Sequence, residues 1–250
     1  MFNNKVFYHG ITRKAIVAFG VMFNNLNIRR FNNDGSLAQT LRVPLTYAAK
    51  NKMVQRIIRL PVAESAPTEV TLPRMSFEVT DFVYDPARKI NLHNQTMNII
   101  SQTQAKRAYG PVPYDVKLTL YAYVKNQDDG LQIFEQIVPQ FNPDFTIPVE
   151  YIPELGIKHD LPYILESVSY DDTYEGDIES QRMIIWTYNF TARLYYYGPV
   201  ETQGIIRNAI VNVWKDPNLT EQTYKYSVTT NPANAEPGSQ YTFMETFEEN

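Results

Sequence analysis

The chain has 250 residues, of which 44% are hydrophobic, 13% aromatic and 20% charged, so it can bury a core of its own, which argues against bulk disorder. Cysteine is absent, which excludes disulfides, thiolate metal sites and cysteine nucleophiles. The net charge of −4 is segregated, because residues 1–60 hold ten Lys or Arg and one acid, a formal charge of +9, whereas the other 190 residues carry −13.

The first sixty residues predict two helices around a hairpin. A helix over about 12–25 is indicated by apolar residues that recur on one helical face, namely Ile16, Phe19, Phe23 and Leu26. Strands at 27–31 and 40–46 flank the turn signal Asn32-Asn-Asp-Gly35, which is typical of a hairpin. A second helix over 47–60 directs its cations outward and three apolar residues inward: Met53, Ile57 and Leu60.

The apolar run at 15–23, preceded by Arg13 and Lys14, has a second interpretation as an export signal. The run is too short to span a bilayer, and no small-x-small cleavage site follows it before Asn24. A packed amphipathic helix is therefore favoured over an export signal.

The middle of the chain begins with one strand and then loses its periodicity. Met75, Phe77 and Val79 alternate with polar residues, which predicts a strand after a proline-punctuated loop at 61–73. From residue 85 to residue 113 no periodic pattern persists. We interpret 85–113 as a long loop excursion from the sheet, a feature that is uncommon inside a domain unless it is functional or disordered.

The clearest signals lie between residues 114 and 197. Strict alternation predicts strands at 116–124 and 184–196. The turn between 126 and 130 precedes a helix with Leu131, Phe134, Ile137 and Val138 at helical spacing, and Asp128 or Asp129 is predicted as its N-cap. In the second strand, alternation assigns Tyr196 to the buried face and Tyr195 and Tyr197 to the opposite, accessible face.

These elements predict an α+β fold, with a mostly antiparallel twisted sheet, flanking helices, long loops and a flexible C-terminal tail. Residues 1–215 are expected to form a single domain that includes the 85–113 loop. Residues 216–250 are expected to form a C-terminal extension, partly flexible, because from about Asn231 the composition turns to Asn, Pro, Ala, Gly and Glu.

No arrangement of residues predicts catalysis or a cofactor. The acidic loop at 171–179 starts like a calcium loop, but Arg182 stands where a bidentate Glu is needed, so a charged hairpin tip is favoured. The three histidines, His9, His93 and His159, lack metal-ligand spacing. Dinucleotide, phosphate-loop and nucleophile-elbow signatures are missing. We therefore predict neither an enzyme nor a metal or cofactor site.

Several runs, in one order along the chain, resemble a known family. They are RVPLTYAAKNKM at 42–53, LPRMSFEVTDFVYD at 72–85, NLHNQ at 91–95, PYDVKLTLYAYVKNQDDGLQIFEQIVPQFNPDF at 113–145 and ESQRMIIWTYNFTARLYYYGPV at 179–200. Together they resemble the tail sheath stabiliser and completion proteins of T4-like contractile-tailed bacteriophages, over roughly residues 5–210.

The resemblance implies a structural virion protein, assembled in the host cytoplasm without a membrane. Such proteins are tail terminators that form a hexameric ring, cap the tail tube and the last sheath ring, and offer a docking surface to the neck. The implied partners are other copies of the chain, the sheath protein, the tube protein and neck or head-completion proteins. Genomic DNA would only pass through the channel of the ring.

The segregated charge suggests which residues make these contacts. We expect the basic N-terminal third to dock an acidic surface of a neighbouring subunit or of the sheath, through Arg29, Arg30, Lys50, Lys52, Arg56 and Arg59. A solvated helix face is nearly as good an interpretation for Lys50 and Lys52. We also expect Tyr195 and Tyr197 to lie in a protein interface, in preference to stacking on nucleobases.

Two rival functions remain open. The first is a nucleic-acid-binding neck or packaging component that uses the same basic segment. Its cations lack the glycine and aromatic interleaving of common binding modules, and the whole chain is acidic. The second rival is a hydrolase with an unrecognised site, which no motif supports.

Overall fold

The computed structural model describes residues 6–32, 34–58, 71–91, 93–101, 104–173, 183–215, 218, 222–232, 240 and 242–249. Within these ranges the chain forms three α-helices: α1 (Ile11–Phe23), α2 (Lys50–Ile58) and α3 (Gln127–Ile137). The strands fall into four sheets. Two long strands of the largest sheet, which the alternation pattern predicts, organise the rest.

The largest sheet has six strands in the order β3-β4-β7-β10-β9-β8. Their bounds are β3 Leu45–Tyr47, β4 Arg74–Tyr84, β7 Val112–Val124, β8 Asp144–Ile152, β9 Ile157–Thr173 and β10 Met183–Tyr196. Strands β7 and β10 pair along their whole length, from Ile184 opposite Val124 to Tyr196 opposite Val112. Only the β3–β4 pair of this sheet is parallel, which confirms the predicted α+β class with a mostly antiparallel sheet.

The alternation in β7 divides the apolar residues of the chain between the two faces of this sheet. Leu118 and Leu120 join the main core, which α1 and α3 cover. Tyr121 and Tyr123 point to the opposite face, where Met53 of α2 packs on them. Beyond α2 that second face becomes polar, and in the central strands its residues, such as Thr119, Asn189 and Thr191, are buried or half-buried.

Helix α1 packs on the main core through residues that recur every four positions. Its buried residues are Ile11, Ala15, Phe19 and Phe23. The Phe19 ring lies 5.1 Å from that of Phe190 and 5.7 Å from that of Tyr163, measured between centroids. The buried Tyr163 hydroxyl also donates a hydrogen bond of 2.7 Å to the carbonyl of Ala15. The apolar run at 15–23 is thus a packed core helix, as its amphipathic pattern predicts.

Helix α3 departs from the predicted geometry at its first turn. Asn126 is its N-cap residue, and Asp128 and Asp129 both lie inside the helix, so the N-cap prediction for them is wrong. Ile133 and Ile137 are buried, while Leu131 remains 42% exposed. The helix is turned relative to the predicted face because Asp129 and Gly130 occupy inward positions.

Gly130 lies so close to the sheet that its replacement by alanine, which normally stabilises a helix, is expected to destabilise the protein. An added Cβ would lie 2.2 Å from Nε1 of Trp186 on β10. Glycine to alanine inside a helix normally gains about 1 kcal/mol, whereas overpacking a rigid contact costs about 1–3 kcal/mol. We expect Gly130→Ala to lower the free energy of unfolding by about 1–2 kcal/mol in urea denaturation. Glu135→Ala, an exposed change in the same helix, is the control, and equal or higher stability of Gly130→Ala would contradict the packing.

The segment 85–113, which we interpret from the sequence as a long loop, contains regular structure, and its last two residues already belong to β7. Strands β5 (Gln95–Ile99) and β6 (Gln104–Tyr109) form a hairpin, and β11 (Glu201–Gly204) pairs with β6 to complete a three-stranded sheet. Every residue of β5 is exposed, so no apolar alternation marks it in the sequence. A smaller hairpin joins β1 (Asn27–Phe31) to β2 (Leu37–Arg42), as the turn signal predicts.

The C-terminal part contains a further three-stranded antiparallel sheet. Strand β13 (Gln222–Asn231) lies between β12 (Asn208–Trp214) and β14 (Thr242–Glu249). Residues 233–239 lie outside the described ranges. The strands show that parts of the predicted tail have regular structure. The division of the chain at residue 215 and the partial flexibility of 216–250 stay predictions.

Candidate assembly surfaces

The structure separates the basic residues that the sequence groups together. Arg29 and Arg30 lie on β1, which packs against α3 on the main-core face of the large sheet. Lys52 and Arg56 lie on α2, on the opposite face. Arg59 lies outside the described residues. The predicted docking residues therefore belong to two surfaces and cannot all contact one partner patch.

Arg30 is engaged within the subunit. Its guanidinium Nη2 lies 2.7 Å from Oδ2 of Asp129, whose side chain is only 3% exposed. Asp129 stands in the first turn of α3, where the helix dipole also favours a carboxylate. Arg30 therefore neutralises a buried charge, and this role is sufficient to explain it without a docking partner. Arg29 beside it is exposed.

A groove opens between α2 and β4, and we call it the α2–β4 groove. Its volume is about 1060 Å³, and its lining includes Tyr47, Lys52, Val54, Arg56, Glu78 and Val79. This volume lies at the upper end of the range of ligand pockets. Within the described part of the chain, neither Lys52 nor Arg56 forms an ion pair, so both charges are available to a partner.

Among the described residues that line the α2–β4 groove, Glu78 is the one acid, and it is hydrogen-bonded within the subunit. Glu78 accepts hydrogen bonds from the Lys50 backbone N–H at 3.3 Å and from the Tyr121 hydroxyl at 3.2 Å. Burial, with the Glu78 carboxylate as a second cause, raises the pKa of Tyr121 to about 12, so its hydroxyl stays a donor at neutral pH. The Lys50 ammonium lies 5.8 Å from the centre of the Tyr121 ring. The described lining of the groove thus has two cations, Lys52 and Arg56, and one acid, Glu78.

The predicted exposure of Tyr197 is wrong, because only 7% of this residue is exposed. The prediction extended the alternation of β10 to Tyr197, but the strand ends at Tyr196, so the alternation does not determine where Tyr197 points. The Tyr197 hydroxyl and His159 Nε2 share a hydrogen bond of 2.5 Å. Burial raises the pKa of Tyr197 and lowers that of His159.

Tyr195 is partly accessible but also has partners within the subunit. The Arg88 guanidinium lies 5.1 Å from the centre of its ring, and the His159 ring lies 5.4 Å away on centroids. Arg88 in turn pairs with Asp85 and Asp115. The tyrosine pair therefore stabilises one end of the large sheet, and a role for Tyr195 in an interface stays a prediction.

The C-terminal sheet has one apolar face, which the register defines. Val211, Tyr226 and Phe247 lie opposite one another across the three strands, and directly opposed residues point to the same side. With their neighbours at every second position they form the apolar face of the C-terminal sheet: Val211, Val213, Tyr224, Tyr226, Phe243 and Phe247. Phe243 is 65% and Phe247 64% exposed, so this face is open to solvent.

The other face of the same sheet is polar. It carries Asn212, Lys225 and Glu248 in one row, and the Lys225 ammonium lies 3.2 Å from the Glu248 carboxylate. Its exposed apolar residues are Ile210, Met244 and, beside the bulge at the end of β12, Trp214. The sheet is therefore amphipathic, and its apolar side has the pattern of a face that another surface covers.

The described residues contain no group of three or more His, Asp or Glu side chains that could hold a metal ion. The predicted acidic hairpin tip lies mostly outside the described part, since only Asp171, Asp172 and Thr173 of 171–179 belong to it, at the end of β9. Among the described residues, no helix is long and apolar enough to cross a membrane.

The sequence contained a signal for the C-terminal sheet that its polar composition obscured. Tyr224, Tyr226 and Val228 alternate with polar residues, and so do Phe243 and Phe247. Alternation of this kind predicts half-buried strands, and a half-buried strand needs a partner for its apolar side. The ion pair of Arg30 with Asp129 had no such signal, because 99 residues separate the two in the chain.

Comparison with known proteins gives two matches. The model of a family described as T4-like virus Myoviridae tail sheath stabiliser matches residues 6–250. The chain is also similar to a protein of Enterobacteria phage T4 named "Tail completion protein gp15". The two are 31% identical over 208 residues, which cover 80% of this chain and 76% of the T4 protein.

Proposed function

We propose, from the premise that the chain belongs to the tail sheath stabiliser family of T4-like myoviruses, that it forms a ring of identical subunits which caps the tail. The chain is a structural component of a phage tail and not an enzyme. The ring would have six subunits, would cover the end of the tail tube and the last sheath ring, and would offer a docking surface to neck or head-completion proteins.

The observation that carries this proposal is the open apolar face of the C-terminal sheet. Its aromatic residues are more than half exposed at Phe243 and Phe247, and monomeric soluble proteins leave few such contiguous patches uncovered. An assembly subunit needs surfaces of this kind, because apolar area removed from water drives association. Membership of the family indicates the type of assembly. The exposed apolar face gives a physical reason why subunits of this chain would associate.

The nucleic-acid rival has less support from the placement of the cations. Arg30 pairs with Asp129, and the Lys14 ammonium donates to the carbonyls of Glu150 and Tyr151. Lys52 and Arg56 lie on the other face of the sheet from Arg29. Nucleic-acid binding needs a continuous basic stripe or patch, and these residues form none.

The proposal predicts the mass of the particle. Light scattering after size exclusion, with and without purified tail tubes, measures that mass, and electron microscopy of the same fractions shows its shape. We expect a closed ring of about six times the subunit mass of 29.0 kDa, either free or on the end of the tube. A protein that stays monomeric at every concentration and also in the presence of tubes would contradict the proposal.

A further inference from the structure

We propose that the apolar face of the C-terminal sheet of one subunit docks in the α2–β4 groove of a second copy of this chain. This inference rests on the proposed ring and names the two surfaces that would hold its subunits together. One surface is aromatic and acidic, and the other is a groove whose described lining has more cations than acids.

The size of the open face fits part of a subunit contact. Three strands of about eight residues give a face of roughly 26 by 14 Å, on the order of 400 Å². A stable interface buries about 800 Å² on each partner. One sheet face alone is therefore smaller than a whole interface. In a ring, each contact joins one face to one groove, so this contact would supply about half of a subunit interface and the surrounding surface would supply the rest.

Charge selects the partner surface. Glu245 and Glu249 lie on the apolar face, in line with Phe243 and Phe247, while Lys225 and its partner Glu248 lie on the opposite face. The described residues of the apolar face therefore include two acids and no cation. The α2–β4 groove offers Lys52 and Arg56 beside the apolar Tyr47 and Val54. The two surfaces therefore carry opposite charges, and both carry apolar residues that can pack together. The one acid of the described groove lining, Glu78, is already hydrogen-bonded within the subunit.

Pairing of two C-terminal sheets face to face is the main alternative within a homo-oligomer. That arrangement would place Glu245 and Glu249 of one copy against the same residues of the other, with no cation on either face. Like charges in a contact cost free energy, so the sequence of β14 disfavours this two-fold dimer. Because face and groove are different patches of one chain, their contact is heterologous, and repeated contacts of this kind close into a ring when the rotation permits.

The first experiment compares two variants of the same sheet in the full chain. Phe243→Ser with Phe247→Ser removes aromatic residues from the apolar face, whereas Ile210→Ser with Met244→Ser removes apolar residues from the opposite face. Circular dichroism checks that the sheet persists in both. We expect ring assembly, measured by light scattering across a concentration series, to weaken roughly 100-fold or more for the first variant and little for the second, because buried aromatic anchors dominate interfaces.

The second experiment exchanges charges. Lys52→Glu with Arg56→Glu, and Glu245→Lys with Glu249→Lys, are expected to weaken assembly roughly tenfold or more when each pair is changed alone. The two pairs combined restore opposite charges across the contact, so we expect assembly to recover most of the loss. Arg13→Glu with Lys125→Glu is the matched control, since both cations are exposed and neither lines the groove.

The outcomes separate this inference from the proposed function. A wild-type chain that forms no ring contradicts the ring itself. Rings that form equally well in both sheet variants, or a charge exchange without recovery, overturn the face-to-groove contact while the ring stands. If the Phe243 and Phe247 variant still forms rings but no longer binds tails, the apolar face is covered by a sheath or tube protein, and the inference is wrong. If both sheet variants fail to form the sheet, the charge-exchange experiment tests the contact by itself: recovery of assembly supports it, and no recovery overturns it.

Discussion

Phe19→Ala is expected to lower the free energy of unfolding by about 3–5 kcal/mol, the cost of a large cavity in a packed core. Phe19 is fully buried, and its ring contacts those of four others: Phe23, Phe77, Tyr163 and Phe190. These contacts join α1 to three strands of the large sheet, so the cavity cannot collapse by the movement of a single element. Urea denaturation followed by tryptophan fluorescence measures the loss.

Val17→Ala is the matched control for Phe19→Ala. Val17 belongs to the same helix and is 58% exposed, so we expect its replacement to change stability by no more than about 0.5 kcal/mol. A small effect at Phe19 would show that α1 is not fastened to the sheet through this residue. A large effect at Val17 in the monomer would place the buried face of α1 on the wrong side.

Arg30→Ala is expected to cost about 1–3 kcal/mol of stability, because it leaves the Asp129 carboxylate buried without its cation. Breaking a fully buried pair costs about 3–5 kcal/mol. Since the Arg30 side chain is 39% exposed, water can replace part of its contact, and we take the lower range. Thermal or urea unfolding of the variant measures this directly.

A second change separates the ion pair from simple loss of packing. Adding Asp129→Asn to Arg30→Ala removes the stranded charge, so we expect the double variant to regain part of the stability. Arg29→Ala, at the exposed neighbouring position, is expected to leave stability within about 0.5 kcal/mol of the parent. Equal losses of stability for Arg29→Ala and Arg30→Ala would show that Arg30 behaves as an ordinary surface cation and that its ion pair with Asp129 does not stabilise the fold.

The elements with strong periodicity could be predicted from the sequence, and those without it could not. Strands β7 and β10 bury alternate residues on one face along their length, and α1 repeats its apolar residues every four positions, so their patterns survive in the sequence. Strand β5 is exposed throughout and owes its form to pairing with β6, which leaves no apolar pattern to read.

The candidate surfaces were harder to predict than the fold, because they depend on contacts between distant residues. Arg29 and Arg30 are adjacent in the chain, but only Arg30 reaches the carboxylate that α3 brings to it. Tyr197 follows an alternating strand, but the chain leaves the sheet just before it and buries its ring against His159 and Tyr151. A count of charges or aromatic residues cannot separate residues with partners inside the subunit from those that remain available.

Location of the chain on the phage tail tests the central claim most directly. The measurement is electron microscopy of tails bearing this chain with a gold-binding tag, together with tails assembled in its absence. We expect gold at the head-proximal end of each tail only, and unstable sheaths without attached heads when the chain is missing. Gold along the whole sheath or on the capsid, or normal head attachment and stable sheaths in its absence, would contradict a capping ring.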